Sequence, residues 1–247
     1  YLSLLLYLRL YLKMLKSTMS QEINKFVIQC IKLQKSYDLV LNDLVLKEID
    51  LRVEPGVSIA ITGSSGSGKT TLLNIIAGLD IPDAGEVYVA DQLLARLDSS
   101  NLCKFRNQNI GFVFQFHNLL SEFTAAENIA MPLMIAGNPR KFAIEKACHL
   151  MDKVGLSGKE GRLPANLSGG ECQRIAVSRA IIMEPACLLA DEPTGNLDKK
   201  NADIVCNLLI DLCSEFETAL VVTTHDSHVA DFMDSKIGLI DGKLSPL

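Results

Sequence analysis

No apolar run in the 247 residues reaches the roughly eighteen consecutive positions that a membrane-spanning helix needs, so this chain cannot by itself line a path through a bilayer. Any membrane role requires partners. An excess of positive charge is also missing. The net charge is −5 and the acids and bases are interspersed, which argues against a nucleic-acid binder built on a basic face. The seven cysteines, at positions 30, 103, 148, 172, 187, 206 and 213, include no C-x-x-C pair. Their odd number and wide scatter argue against a zinc or disulfide framework and fit reduced thiols in the cytoplasm. Internal repeats and low-complexity blocks are absent beyond the N-terminus.

That N-terminus stands apart. Residues 1–15 (YLSLLLYLRLYLKML) are rich in Leu and Tyr but carry Arg9 and Lys13, which makes the run too short and too charged to span a membrane. A secretory leader would place its charges before the apolar run, and here they lie within and after it, so export is not expected. Met19 opens an ordinary polar segment. Residues 1–24 therefore read as an extension, either translated upstream sequence or a short surface helix, and not as a functional anchor.

The whole chain is 48% apolar and 21% charged, enough to bury one or two substantial cores. Apolar strands are predicted at 44–53, 57–62, 86–90, 110–114, 186–190, 219–223 and 237–240. Helical spacing follows Gly68 and ends at Gly78, recurs from 121 to about 154, and returns at 168–184, 199–216 and 226–234. Thr124 with Glu127, and Ser168 with Glu171, have the spacing of capping boxes. Ile204, Leu208, Leu212 and Phe216 are expected to line one face of the 199–216 helix. Alternation of this kind predicts a mainly parallel sheet with helices on both sides. Residues 118–165 read as a helical insertion, and with the helix after it the helical subdomain spans about 118–180.

Two short patterns carry chemistry. Gly63-Ser64-Ser65-Gly66-Ser67-Gly68-Lys69-Thr70, followed by Thr71, matches G-x-x-x-x-G-K-[ST] and lies between a predicted strand and a predicted helix, the context that motif requires. Its glycines let backbone N–H groups converge on phosphate oxygens, with a helix N-terminus behind them. Lys69 is expected to bridge the β- and γ-phosphates, and the Thr70 hydroxyl to ligate Mg²⁺. The second pattern is CLLADE at 187–192, an apolar strand ending in two acids at the sheet edge where open α/β folds bind ligands. Successive strand residues face opposite ways, so the acids can differ in role: Asp191 for the hydrated metal, Glu192 as general base toward water.

Leu167-Ser168-Gly169-Gly170-Glu171, shortly before that acidic strand, resembles the signature motif of ABC ATPases. The order of the other motifs is complete: Tyr37, the phosphate loop, Gln115 after IGFVF, the signature, Asp191-Glu192, Gly195-Asn196-Leu197-Asp198, and His225 after ALVVT. The resemblance covers about residue 25 to the end. It implies a P-loop core with a mainly parallel sheet, an N-terminal antiparallel β portion and the helical subdomain, within a domain at 25–247. It further implies that Ser168, Gly169 and Gly170 serve ATP held by a second copy of the chain, so that ATP joins a homodimer, and that Asp198 is a nucleotide-binding residue. Ser168 capping its own helix is compatible with this. Tyr37 would stack on adenine, or else simply pack; Gln115 would touch Mg²⁺ and the attacking water; His225 would contact the γ-phosphate and orient Glu192. His117, His149 and His228 receive no role.

Within that family, Phe114-Gln115-Phe116-His117-Asn118-Leu119-Leu120 and Glu122-Phe123-Thr124 resemble the ATPases of bacterial lipoprotein-releasing systems. The shorter Gly195–Asp198 pattern is shared with macrolide-export and cell-division ATPases, which are the alternatives. Cys172 and Val57-Ser58 depart from the pattern. The implied partners are integral membrane permease subunits, with this chain peripheral on the cytoplasmic face of the inner membrane, no contact with the lipoprotein cargo and no nucleic acid. A soluble ABC ATPase would bring coiled-coil insertions or a second ATPase unit. A P-loop kinase or GTPase would leave the signature unexplained.

Overall fold

A computed structural model of the chain describes residues 25–38 and 43–246. The N-terminal extension lies outside the described residues. Among the described residues, ten strands form two sheets. The first sheet is antiparallel, in the order β2 (Asp43–Val53), β1 (Ile28–Asp38), β4 (Ala84–Val89), β5 (Gln92–Leu93). The second runs β10 (Lys243–Pro246), β9 (Ser235–Ile240), β3 (Ser58–Thr62), β8 (Ala219–Thr224), β7 (Cys187–Asp191), β6 (Ile110–Val113), parallel throughout except for the β9–β10 hairpin at its edge.

The central strands of the second sheet are apolar at nearly every position because both of their faces are covered. Leu188, Ala190, Leu220 and Val222 face a core shared with α3 (Ala125–Ile135), α4 (Arg140–Lys153), α5 (Gly169–Ile181) and α6 (Lys199–Glu215). Cys187, Leu189, Ala219 and Val221 face a second core built with α1 (Lys69–Ile76) and the antiparallel sheet. The two-residue period of a strand thus sorts one apolar run into two cores. Residues 118–180 hold α3, α4 and α5 and no strand.

Both capping boxes are present: Thr124 and Ser168 each accept from the backbone N–H three residues on, and Glu127 and Glu171 reach back to the capping residue's N–H. Each cap is worth about 1 kcal/mol. Three expectations need correction. The face of α6 that enters the core is Ala202, Val205, Cys206, Leu209, Leu212 and Cys213; Ile204 is exposed, and Leu208 and Phe216 are half-buried at its margin. The cysteines and alanine of this face are poor markers of an apolar stripe. The helix expected at 226–234 is a single turn, α7 (Ser227–Ala230). Beyond it the chain bends so that Asp234 accepts the backbone N–H and hydroxyl of Ser58 at 2.8 and 2.6 Å, pinning the start of β3. That contact also gives the unusual serine at 58 a function. Finally, α2 (Ser99–Asn109) escaped the sequence reading because it buries none of its residues; Asp98 caps it by accepting from the Asn101 N–H at 2.9 Å.

Candidate active site

Four neighbouring parallel strands deliver their C-terminal ends to one edge of the second sheet. β3 runs into Gly63, β6 toward Gln115, β7 into Asp191 and Glu192, and β8 into His225. Ligands of open α/β sheets bind at this edge. A cleft of about 580 Å³ opens there, lined by Tyr37, Val45, Ser65, Gly66, Gly68, Lys69, Thr70, Thr71, Gln115, Asp191, Glu192 and His225. All of these except Val45 were expected from the sequence.

The phosphate loop needs its glycines. Gly66 and Gly68 have φ of 79° and 102°, the left-handed region that side chains disfavour. A Cβ on Gly68 would lie 3.0 Å from a Val45 methyl, whereas one on Gly66 would meet nothing within 4 Å, so backbone faces open space there. The Ser67 hydroxyl is buried beneath the loop without a partner. Lys69 Nζ, almost wholly buried, donates to the carbonyls of Gly63 and Ser64 at 2.8 and 3.0 Å and lies 3.8 Å from Glu192 Oε1.

The two acids take different partners, but not by strand alternation, because β7 ends at Asp191 and Glu192 lies beyond it. Asp191 Oδ2 accepts from the Thr70 hydroxyl at 2.8 Å, and its Oδ1 accepts from the Thr223 hydroxyl at 2.6 Å. Glu192 turns the other way, its Oε1 2.9 Å from His225 Nδ1 and its Oε2 accepting the His225 backbone N–H at 3.4 Å. Its backbone is left-handed, with φ of 46°. For a residue with a side chain this costs about 1–2 kcal/mol, the kind of strain that clusters at working sites. Thr70 and Asp191 present only oxygens to one point, a donor set that suits a hard cation such as Mg²⁺. Gln115 lines the same cleft and reaches Gly195, where an added Cβ would lie 3.2 Å from its Nε2. Thr223 was missed because its meeting with Asp191 is set by the register of β7 and β8, which no local pattern shows.

Ser168, Gly169, Gly170 and Asp198 do not enter this cleft. Ser168 and Gly169 are exposed at the start of α5, Gly170 is buried against Asn201, and Asp198 caps α6 by accepting from the Asn201 N–H at 2.8 Å. One chain therefore contains a complete phosphate loop with its acids, and a separate, outward-facing helix start. Glu171, behind that start, is paired with Lys159; this ammonium and the Ser168 N–H pull its carboxyl from 4.5 down to about 2. A carboxylate whose value drops on folding stabilises the fold above its ordinary value and loses that contribution as pH falls through the folded one. Glu171→Gln should accordingly melt below the wild type at pH 7, and thermal melts should show the gap closing as pH is lowered from about 4.5 to about 2.

The family model described as ABC transporter matches residues 46–195. The chain belongs to the ABC transporter family. It is 48% identical over 220 residues to the lipoprotein-releasing system ATP-binding protein LolD of Saccharophagus degradans, covering 89% of this chain and 96% of that one. With the LolD of Legionella pneumophila (strain Paris) the identity is 46% over 222 residues, covering 90% and 98%. Among solved structures it is similar to the dimeric ABC transporter cassette MJ0796, with a TM-score of 0.81, 37% identity and coverage of 88% and 96%. It is equally similar, again at 0.81, to a dimeric post-hydrolysis state of that cassette bound to ADP and Pi. The α/β architecture and the ATPase chemistry of the family apply to this chain. Among its described residues no helix is long and apolar enough to cross a membrane.

Proposed function

We propose that this ABC ATPase, taken as residues 25–247 with a helical lobe at about 118–180, powers release of lipoproteins from a bacterial inner membrane for transfer to the outer membrane. The observation that carries the reading is 46–48% identity to two LolD proteins over about nine-tenths of both chains. A surface feature supports it. Phe116 is 70% exposed, and Leu120 and Phe123 are also exposed, in the segment between Gln115 and α3. Such apolar side chains beside the nucleotide cleft suit a short helix of a membrane subunit. The chain would then lie peripherally at the cytoplasmic face, two copies beneath two permease subunits, without touching cargo.

Hydrolysis would proceed at the cleft. Thr70, Asp191 and Gln115 would hold Mg²⁺, which supplies charge neutralisation at the phosphates. Thr223 fixes the orientation of Asp191 from behind. The Lys69 ammonium would exchange its loop carbonyls for phosphate oxygens, and Tyr37 offers an exposed ring to the base. Glu192 would take a proton from the attacking water while His225 holds its carboxylate in place. Ser168 with the Gly169 and Gly170 N–H groups, at the start of α5, would complete the site of a second copy.

Purification of the tagged chain from detergent-solubilised membranes tests the assignment. Recovery with integral membrane subunits whose loss leaves lipoproteins in the inner membrane is the expected result; subunits of a drug-export or division complex would instead establish the alternative.

A further inference from the structure

The aromatic ring at the mouth of the cleft is 60% exposed, yet it is not free to turn. The Tyr37 hydroxyl donates to Asp80 Oδ2 at 2.7 Å. Lys35, two residues earlier in β1, donates to Asp80 Oδ1 at 3.0 Å and to the Ile81 carbonyl at 2.7 Å. Its ammonium lies 5.2 Å from the Tyr37 ring centroid, within cation–π range. Asp83 completes the cluster, accepting the Ser36 N–H at 2.7 Å with its other oxygen 3.7 Å from Lys35 Nζ. Burial works against the Asp80 charge, but the hydrogen bonds from Tyr37 and Lys35 outweigh it and hold the carboxyl below its ordinary value.

Where Asp80 sits gives the cluster its meaning. α1 begins at the phosphate loop and ends at Ile76, and the N–H groups of Leu79 and Asp80 both return to the Asn74 carbonyl, at 2.8 and 3.2 Å. Asp80 is thus fixed to the far end of the phosphate-loop helix, while Lys35 and Tyr37 belong to the antiparallel sheet. Asp80 is one of several links between the two, beside the bonds of Lys35 to the Ile81 carbonyl and of the Ser36 N–H to Asp83, and a side-chain hydrogen bond between Tyr37 and Thr71 of α1; it is the one that touches both Lys35 and the Tyr37 hydroxyl.

We propose that Asp80 and Lys35 are positioning residues for nucleotide binding: they hold the Tyr37 ring at a set place relative to the phosphate loop, so that a purine base stacks on it while the triphosphate lies in the loop. This rests on the ATP reading above. A long exposed side chain would otherwise lose rotamer freedom on binding; here that ordering precedes the ligand.

The test is competition binding to the full chain with two probes, ATP and inorganic tripolyphosphate, the second of which engages the loop but has no base. Asp80→Ala is expected to raise the Kd for ATP about tenfold, the usual worth of a hydrogen bond to a charged group, and to leave that for tripolyphosphate within about twofold. Tyr37→Ala should do the same, and the double variant should be no weaker than Tyr37→Ala by more than about twofold, since both remove one device. Asp80→Asn, which keeps the shape without the charge, should fall between. At saturating ATP the turnover of Asp80→Ala should stay near wild type. Unchanged ATP affinity in Asp80→Ala, or an equal loss for tripolyphosphate, would overturn the proposal. A wild-type chain that binds neither probe would remove the nucleotide reading itself, and this proposal with it.

Discussion

Glu192→Gln should bind ATP at least as tightly as the wild type and hydrolyse it about 10²–10⁴-fold more slowly, the contribution expected of a positioned general base. The amide keeps the size of the carboxylate and can still accept from His225 Nδ1, which lies 2.9 Å from Oε1, so the geometry of the site survives. What it cannot do is take a proton from water. Removing a negative charge 3.8 Å from Lys69 also leaves that ammonium more available to phosphate, which favours the ATP-bound state. The variant should therefore accumulate as an ATP-bound dimer, visible by size-exclusion chromatography with nucleotide and lost without it. Single-turnover hydrolysis is the decisive measurement: a rate within threefold or so of wild type would remove Glu192 from the role of base, since far more than that is asked of it.

Much of this site was legible because its parts are local in sequence. The phosphate loop is eight consecutive residues, Asp191 and Glu192 are adjacent, and each follows an apolar strand that marks its depth in the fold. What sequence could not convey is which distant groups meet them. Thr223 touches Asp191 only because β7 and β8 pair in register, and a threonine in a buried strand has no local mark of that duty. Asp80 and Lys35 lie 45 residues apart and look like ordinary surface charges until the end of α1 folds against β1. The missed helix α2 has the same cause in reverse: a segment that half-buries only two apolar residues, Leu102 and Phe105, shows too short an apolar period, and the cap at Asp98 is its other local mark. The misassigned face of α6 shows that a stripe of large apolar residues is not always the stripe that packs. There Cys206, Cys213 and Ala202 are buried, and Ile204 is left outside.

A mixture of two inactive variants should recover activity that neither has alone. Lys69→Ala removes the ammonium that the phosphate loop wraps, leaving the Gly63 and Ser64 carbonyls without their donor, and should cut turnover about a hundredfold or more. Ser168→Asp is the second variant. Aspartate caps a helix as well as serine does and suits the positive end of α5, so the fold is kept, yet its carboxylate repels the anion that the exposed helix start would otherwise receive. If the working site is made from the phosphate loop of one copy and the Ser168 region of another, a mixed dimer holds one site with both lesions and one with neither. Random mixing makes about half of the dimers mixed, each with one sound site of two, so turnover should rise to as much as about a quarter of wild type when the sites act independently, and less when they are coupled. Recovery must exceed the sum of the separate activities in proportion to the mixed fraction, which differential tagging can isolate. If each chain instead contained its whole site, Ser168→Asp would retain most of its activity and mixing would add nothing; either result would return Ser168, Gly169 and Gly170 to the single role of opening their own helix.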